Sequence, residues 1–367
     1  MTAASRTGED GAKPVRPGEE LDPEKLAAFL RSHLPEGTLA GPLQILQFPG
    51  GHSNLTYLVK AGDRELVLRR PPFGNRVKSA HDMGREFRIL SKLCPSYPAA
   101  PRPVAYSDDE SVLGAPFYLM ERVRGVVLRR TVPQGITLDA PTLRRVCESL
   151  VDALVGLHAV DYTAAGLADL GKPAKYIERQ VAGWTKRYRD AQTDEVPELD
   201  RIAAWLAART DEAEADPTGT VRAAIVHNDY KFDNVVLDPE DIVRVRGVLD
   251  WEMSTLGDPL MDLGTTLSYW IEEGDPDELK WLAFGPTVLP GALTRREVAD
   301  RYFDKSGRAP RDLRFFLVFA LFKNAGVLQQ IYWRYKQGLT KDERFASFNV
   351  AVKLLAQRAE VALNEGV

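Results

Sequence analysis

The stretch Ile225-Val-His-Asn-Asp-Tyr-Lys-Phe-Asp-Asn-Val-Val-Leu-Asp238, with Gly247-Val-Leu-Asp-Trp-Glu252 shortly after it, decides how this chain is read. Each segment has the pattern of an apolar strand that runs into a polar turn. The turns present Asp229, Asn234 and Asp250 in that order. A carboxylate at a strand end can orient a hydroxyl and accept its proton, while an amide oxygen and a second carboxylate can hold magnesium against nucleotide phosphates. Asn234 supplies its oxygen without adding negative charge. Any one of these residues alone would be an ordinary turn former, and a lone His227 reads as a structural hydrogen-bonding residue. The ordered set points to transfer of a phosphoryl group from a nucleotide to an alcohol.

The rest of the composition narrows the setting. A chain of 367 residues, 44% hydrophobic and 27% charged, suits two globular lobes. A formal charge of -4 gives no general basic field, which argues against nucleic acid as a partner. Cys94 and Cys147 are the only two cysteines. They exclude a disulfide framework or cysteine-rich zinc site, read as buried small hydrophobes, and fit a reducing cytoplasm. Met1 to Glu20 is rich in Gly, Pro and charge, lacks the apolar segment of a secretion signal, and is expected to be disordered. Phe315 to Phe322, an apolar run bounded by Arg314 and Lys323, is too short to span a bilayer and predicts a buried helix, so no membrane partner is expected.

Outward from the central motif, periodicity predicts the elements. Asp22 to Leu34 is a short helix capped by Asp22. Leu43 to Phe48, Leu55 to Lys60 and Glu65 to Arg69 read as strands, the last two joined by the turn Ala61-Gly-Asp63. Ser79 to Leu93 is a helix and Pro116 to Val123 a further strand. Helices are predicted over 143–160, 174–191, 198–214, 260–273, 295–305, 312–337 and 342–364. The plan is α+β: a tail over 1–20, a small nucleotide-binding lobe over 21–123 with an antiparallel sheet and a helix, and a larger, mainly helical lobe over 124–367 carrying the inserted strands.

Two features of the small lobe are weaker on their own. Gly50-Gly-His-Ser-Asn54, between two strands, could lay backbone N–H groups over phosphates, although it is neither a Walker A motif nor a complete G-x-G-x-x-G. Arg69 ends a strand, and Glu86 lies on the following helix. Such a pair can grip phosphates or be an exposed ion pair of little consequence.

Taken in order, the Gly50–Tyr57 loop, Leu66-Val-Leu-Arg-Arg-Pro-Pro72, Arg85-Glu-Phe87, Phe117-Tyr-Leu-Met-Glu-Arg-Val123, Leu157-His158, Val226 to Asn234, Val248-Leu-Asp-Trp-Glu252 and Gly257-Asp-Pro-Leu-Met-Asp-Leu263 resemble the aminoglycoside phosphotransferase and choline kinase group. The resemblance spans about Leu43 to Tyr335. It is strongest to bacterial phosphotransferase-family proteins and to the kinase-like domain fused to some acyl-CoA dehydrogenases. It implies a two-lobed protein-kinase-like fold and an ATP- or GTP-dependent enzyme that uses magnesium. Asp229 would be the catalytic base and Lys231 would touch the transferring phosphate. Asn234 and Asp250 would bind magnesium. Gly51, Ser53 and Asn54 would cover the phosphates, Arg69 would contact them and pair with Glu86, and the backbone from Glu121 to Val123 would meet adenine. Asp262 would order the catalytic loop, with His158 a structural residue behind it. Two departures stand out. Arg69 replaces the general family's Lys with a rigid fork. His-Asn-Asp replaces His-Gly-Asp, at a position where Asn228 tolerates left-handed backbone.

The acceptor is a small molecule bearing a hydroxyl. Trp184, Tyr188, Trp205, Tyr269 and Trp270 are candidate wall residues, each also a natural core aromatic. The acidic run Glu272 to Glu278, which would suit a cationic aminoglycoside, reads as a solvated loop. Arg122, Arg124, Arg129, Arg130, Lys172, Lys175 and Arg179 favour an anionic acceptor such as a hydroxyacyl-CoA. The alternatives are an aminoglycoside O-phosphotransferase, a nucleotide- or acyl-CoA-binding module without transfer activity, and an enzyme that moves AMP to a hydroxyl.

Overall fold

Side chains that alternate across a sheet aim the small lobe's polar residues. The computed structural model describes residues 11–35, 37, 39, 41–49, 54–73, 82–215, 222–340 and 342–367. The expected phosphate-covering residues Gly51 and Ser53 lie outside this set, as do residues 1–10 of the tail and 79–81 of the second predicted helix. β1 (Gln44–Gln47), β2 (Leu55–Ala61), β3 (Arg64–Arg70), β4 (Pro103–Ser107) and β5 (Phe117–Glu121) form an antiparallel sheet in the order β1-β2-β3-β5-β4. Gly62, at φ 60°, takes the left-handed turn between β2 and β3. Tyr57, Leu66, Leu68, Phe117 and Leu119 pack on one face with Leu26 and Leu30 of α1 (Pro23–His33). Val67, Tyr118 and Met120 belong to the other core, with Met83, Ile89, Leu90 and Leu93 of α2 (Met83–Leu93). Arg69 shares the parity of Val67, and Glu86 is on the buried face of α2. The two periodicities therefore turn them toward each other.

The small lobe also holds α3 (Glu110–Leu113). The large lobe is built from α4 (Ala140–His158), α5 (Tyr176–Asp190), α6 (Pro197–Ala207), α7 (Thr210–Glu214), α8 (Pro259–Tyr269), α9 (Asp277–Lys280), α10 (Arg295–Ser306), α11 (Arg314–Lys336) and α12 (Phe348–Glu365). Two short antiparallel pairs sit among them: β6 (Ala224–Val226) with β9 (Thr255–Gly257), and β7 (Val235–Leu237) with β8 (Val245–Val248). This is a two-lobed kinase-like fold. The chain leaving β5 is stitched to the large lobe where Val126 and Leu237 exchange backbone hydrogen bonds of 2.9 and 2.8 Å. α8 and α11 approach closely at Gly264, where a Cβ would come within 2.5 Å of the Phe316 carbonyl oxygen. That contact brings the end of α8 and the middle of α11 to the same site.

Several elements differ from the sequence reading. Residues 11–20 are not a free tail. Lys13 exchanges backbone bonds of 2.8 and 2.7 Å with Gln47, and the Tyr57 hydroxyl donates to the Glu19 carbonyl at 2.8 Å. A polar, glycine-rich composition predicts disorder, but the open edge of β1 supplies backbone partners. β4 has no counterpart among the predicted strands. It is a short edge strand opening on a proline, which is where proline is tolerated in a sheet. The helix predicted over 198–214 divides into α6 and α7. α8 stops at Tyr269, and the acidic run beyond it is not simply solvated. Arg295 pairs with Glu272 at 3.3 Å and also with Asp275, which Arg358 approaches at 3.8 Å. By length and composition α11 is apolar enough to cross a membrane, but 78% of its most apolar window is buried inside the fold.

Candidate active site

The turn after β6 is held from beneath. His227 and Asn228 donate their backbone N–H groups to the two oxygens of Asp262, at 2.6 and 2.7 Å. Asp262 is completely buried on α8, and His158 Nε2 reaches its Oδ2 at 3.1 Å. Burial alone would raise this carboxyl. The hydrogen bond and charge of His158, then His227, outweigh burial and hold it below its ordinary value. Asn228 takes the left-handed conformation, φ 64°, and its side chain joins Tyr176 to the Met253 carbonyl. His227 Nδ1 accepts the Asp229 N–H at 3.2 Å, so Nε2 carries the proton and donates to the Leu249 carbonyl at 2.9 Å.

This scaffold presents the Asp229 carboxylate within a ring of donors. Lys231 Nζ lies 2.7 and 2.6 Å from its two oxygens. The Tyr269 hydroxyl, at the end of α8, donates to Oδ1 at 2.7 Å. Asn234 Nδ2 donates to Oδ2 at 3.0 Å and to the Asp229 carbonyl at 2.9 Å, which leaves Oδ1 as that amide's acceptor. From α11, the buried Lys323 Nζ donates to the Asn228 carbonyl at 2.6 Å.

Opposite stands Asp250, also left-handed at φ 70°, with 34% of its side chain exposed. Arg69 Nη2 donates to its Oδ1 at 2.9 Å, while Arg69 Nη1 reaches Glu86 at 3.1 Å. Partial burial would raise Asp250, but Arg69, with help from His227 and Lys231, keeps it below its usual value. Glu252 adds a third carboxylate 3.5 Å from Arg69 Nη2 and accepts from Asn54 Nδ2 at 2.7 Å. The residue ending the glycine-rich loop is thereby tied to the Asp-Trp-Glu turn.

Among the described residues, no three His, Cys, Asp or Glu side chains converge as a metal cluster. The available donor set is the Asn234 amide oxygen and the half-open Asp250 carboxylate. Both are hard oxygens, and magnesium binds through few protein ligands, completing its shell with water and phosphate. The residues fit that ion.

The structure thus brings together Asn54, Arg69, Glu86, Asp229, Lys231, Asn234 and Asp250. Glu121 and Val123 sit where the chain passes between lobes. The Glu121 N–H is spent on the Arg102 carbonyl at 2.8 Å, so it is not offered to a ligand. Val123 packs on Gly247, where a Cβ would come within 2.8 Å of its Cγ1. Of the wall candidates, Tyr269 reaches Asp229, while Trp184, Tyr188 and Trp270 are buried in the core. Neither motif spacing nor periodicity marks Lys323 or Glu252 as a site residue. Glu252 closes the Asp-Trp-Glu segment, while Lys323 reads as the boundary of an apolar run.

The sequence profile described as "Phosphotransferase enzyme family" matches residues 44–314. This chain belongs to that family. It is 34% identical over 358 residues to acyl-CoA dehydrogenase family member 10 of Mus musculus, covering 97% of this chain and 32% of that protein. It is 30% identical to acyl-CoA dehydrogenase family member 11 of Homo sapiens, covering 96% of this chain and 44% of that protein. The chain therefore spans less than half the length of these relatives. Among solved structures, a Ralstonia eutropha protein provisionally described as an aminoglycoside phosphotransferase superposes with a TM-score of 0.77 at 30% identity, over 95% of this chain and all of that one.

Proposed function

We propose that this chain moves the terminal phosphoryl group of ATP or GTP, with magnesium, to a hydroxyl of a small metabolite, a hydroxyacyl-CoA being the favoured class. The observation that carries the reading is the Asp229 carboxylate, ringed by Lys231, Tyr269 and Asn234 and set beside the Asp250–Arg69 pair. Asp229 orients the acceptor hydroxyl and takes its proton as the new O–P bond forms. The bond from the terminal phosphorus to the bridging oxygen breaks, and the nucleoside diphosphate leaves with that electron pair. Lys231 and Arg69 bring positive charge to the phosphates. Asn234 and Asp250 would hold magnesium, which neutralises phosphate charge when bound.

Two observations favour a metabolite over an aminoglycoside. Glu272 and Asp275 already have arginine partners, and the relatives at 34% and 30% identity carry the acyl-CoA dehydrogenase name. The basic residues count for less. Arg122 and Arg124 are both held by Glu65, at 2.7 and 2.8 Å, and Arg179 donates to backbone carbonyls at Lys172 and Ala174. A second reading, a binding module without transfer, is favoured by one feature: Arg69 sits on the carboxylate that magnesium would need.

Nucleoside diphosphate release, measured with ATP or GTP and magnesium against hydroxyacyl-CoA thioesters and aminoglycosides, decides between them. The expected result is release with a hydroxyacyl-CoA that falls by roughly 10²–10⁴ in Asp229→Ala. Nucleotide binding without turnover across the panel would favour the binding module.

A further inference from the structure

Lys231 has more built around it than contact with a phosphate requires. Its ammonium touches both oxygens of Asp229 and also lies 4.8 Å from the centre of the Tyr269 ring and 5.0 Å from that of Phe284. The two rings meet edge to face at 5.1 Å, and Tyr269 is fixed by its hydrogen bond to Asp229. A carboxylate and two aromatic rings about one ammonium make a site for an organic cation. Here the chain fills it with its own lysine. Only 14% of the Lys231 side chain is exposed, whereas Phe284, 36% exposed, forms the outer wall.

We propose that Lys231 is a specificity residue: it occupies a cation cage made by Asp229, Tyr269 and Phe284, so that acceptors with an ammonium beside the reacting hydroxyl are refused and neutral or anionic ones admitted. The inference rests on the reading that Asp229 receives the acceptor hydroxyl. An incoming ammonium would have to displace Lys231 or sit against it, where water screens like charges poorly. Rejection would then come from a repulsive element built into the site, and not from the absence of attractive contacts. A neutral hydroxyl on an aliphatic or thioester chain meets no such charge and can lie along the Phe284 ring. Asp229 and Tyr269 come from separate elements, the turn after β6 and the end of α8, and Phe284 follows α9. The cage is therefore a product of the tertiary fold and not of the catalytic turn alone.

Binding of tetramethylammonium, followed by calorimetry, tests this without turnover. The full chain and Lys231→Met are each titrated, alone and with ADP and magnesium. The wild-type protein is expected to bind only weakly, and Lys231→Met at least about tenfold more tightly, the cage being emptied but intact. Adding Phe284→Ala to Lys231→Met should abolish the gain. Lys231→Gln replaces Lys231→Met if thermal unfolding shows the latter to be unfolded. Wild-type binding as tight as the variant's, with or without ADP, would overturn the proposal, as would absence of any gain or a gain that survives Phe284→Ala. An inactive protein leaves this test standing, so failure of the transfer assay bears only on the proposed activity.

Discussion

Arg69 of β3 and Asp250 beyond β8 are joined across the interlobe cleft by a 2.9 Å ion pair. The same guanidinium sends Nη1 to Glu86 at 3.1 Å. A planar fork can serve both carboxylates at once, and an ammonium on a single stem cannot do so with the same geometry. Arg69 and Glu86 are both buried. Arg69→Met is expected to destabilise the protein by about 3–5 kcal/mol in denaturant unfolding, because it strands Glu86. Burial already pushes the Glu86 carboxyl up against the pull of Arg69. A carboxyl whose folded pKa is raised loses its stabilising contribution as pH climbs above its unfolded value. The variant's deficit should therefore be larger at pH 8 than at pH 5. Arg69→Lys should recover part of the loss.

Asp262 is the floor of the turn after β6. It accepts the N–H groups of His227 and Asn228 and the contact from His158. Asp262→Asn replaces a charged acceptor with an amide that can satisfy only part of this set, at a cost of about 2–3 kcal/mol. Amide exchange at His227 and Asn228 should quicken. The folded carboxyl sits below its ordinary value of 3.8. Its contribution is therefore complete above that value and is lost as pH falls through the lower folded one. The stability gap between the two proteins should close on acidification and not at alkaline pH.

What could be read beforehand had local causes. The sequence marks Arg69 and Glu86 as a candidate pair on adjacent elements, with an exposed ion pair as the other reading, and the order Asp229, Asn234, Asp250 marks the turns that converge. What could not be read depends on distant packing. Lys323 lies in an apolar run, and only the close approach of α8 to α11 puts it under Asn228. The Asn54–Glu252 bond joins the small lobe to the Asp-Trp-Glu turn, and nothing in either segment names the other. Residues 11–20 have no apolar pattern, yet they are tied to the sheet by the backbone exchange of Lys13 with Gln47 and by the Tyr57 hydroxyl on the Glu19 carbonyl.

Asn228 carries a left-handed backbone, φ 64°, a conformation that Asn tolerates better than most residues. Its side chain also accepts from Tyr176 and donates to the Met253 carbonyl. Asn228→Ala keeps the unfavourable conformation and loses both bonds, so it should cost about 2–4 kcal/mol. Asn228→Gly relieves the backbone and loses only the bonds. Urea unfolding should rank the glycine variant between wild type and alanine. An alanine variant at least as stable as the glycine one would show that the turn's conformation carries no strain.

Lys323 offers a pH signature of its own. Burial is the largest influence on its ammonium and pushes it down to about 8 from 10.5, against the pull of Asp229 and Asp262. Below about pH 8 the folded and unfolded chains both carry the proton, and the cost of burying the charge is borne in full. Between that value and 10.5 the unfolded chain holds a proton that the folded one has shed, so stability rises with pH, by up to about 1.4 kcal/mol per unit. Lys323→Met removes the titrating group. The wild-type stability minus that of the variant should therefore increase by about 2 kcal/mol between pH 7.5 and pH 10, whatever other groups titrate in both proteins. The neutral amine can still donate to the Asn228 carbonyl, so the turn keeps its geometry while losing a nearby positive charge. Parallel stability curves would mean that Lys323 retains its ordinary proton affinity, and that Asp229 and Asp262 offset its burial.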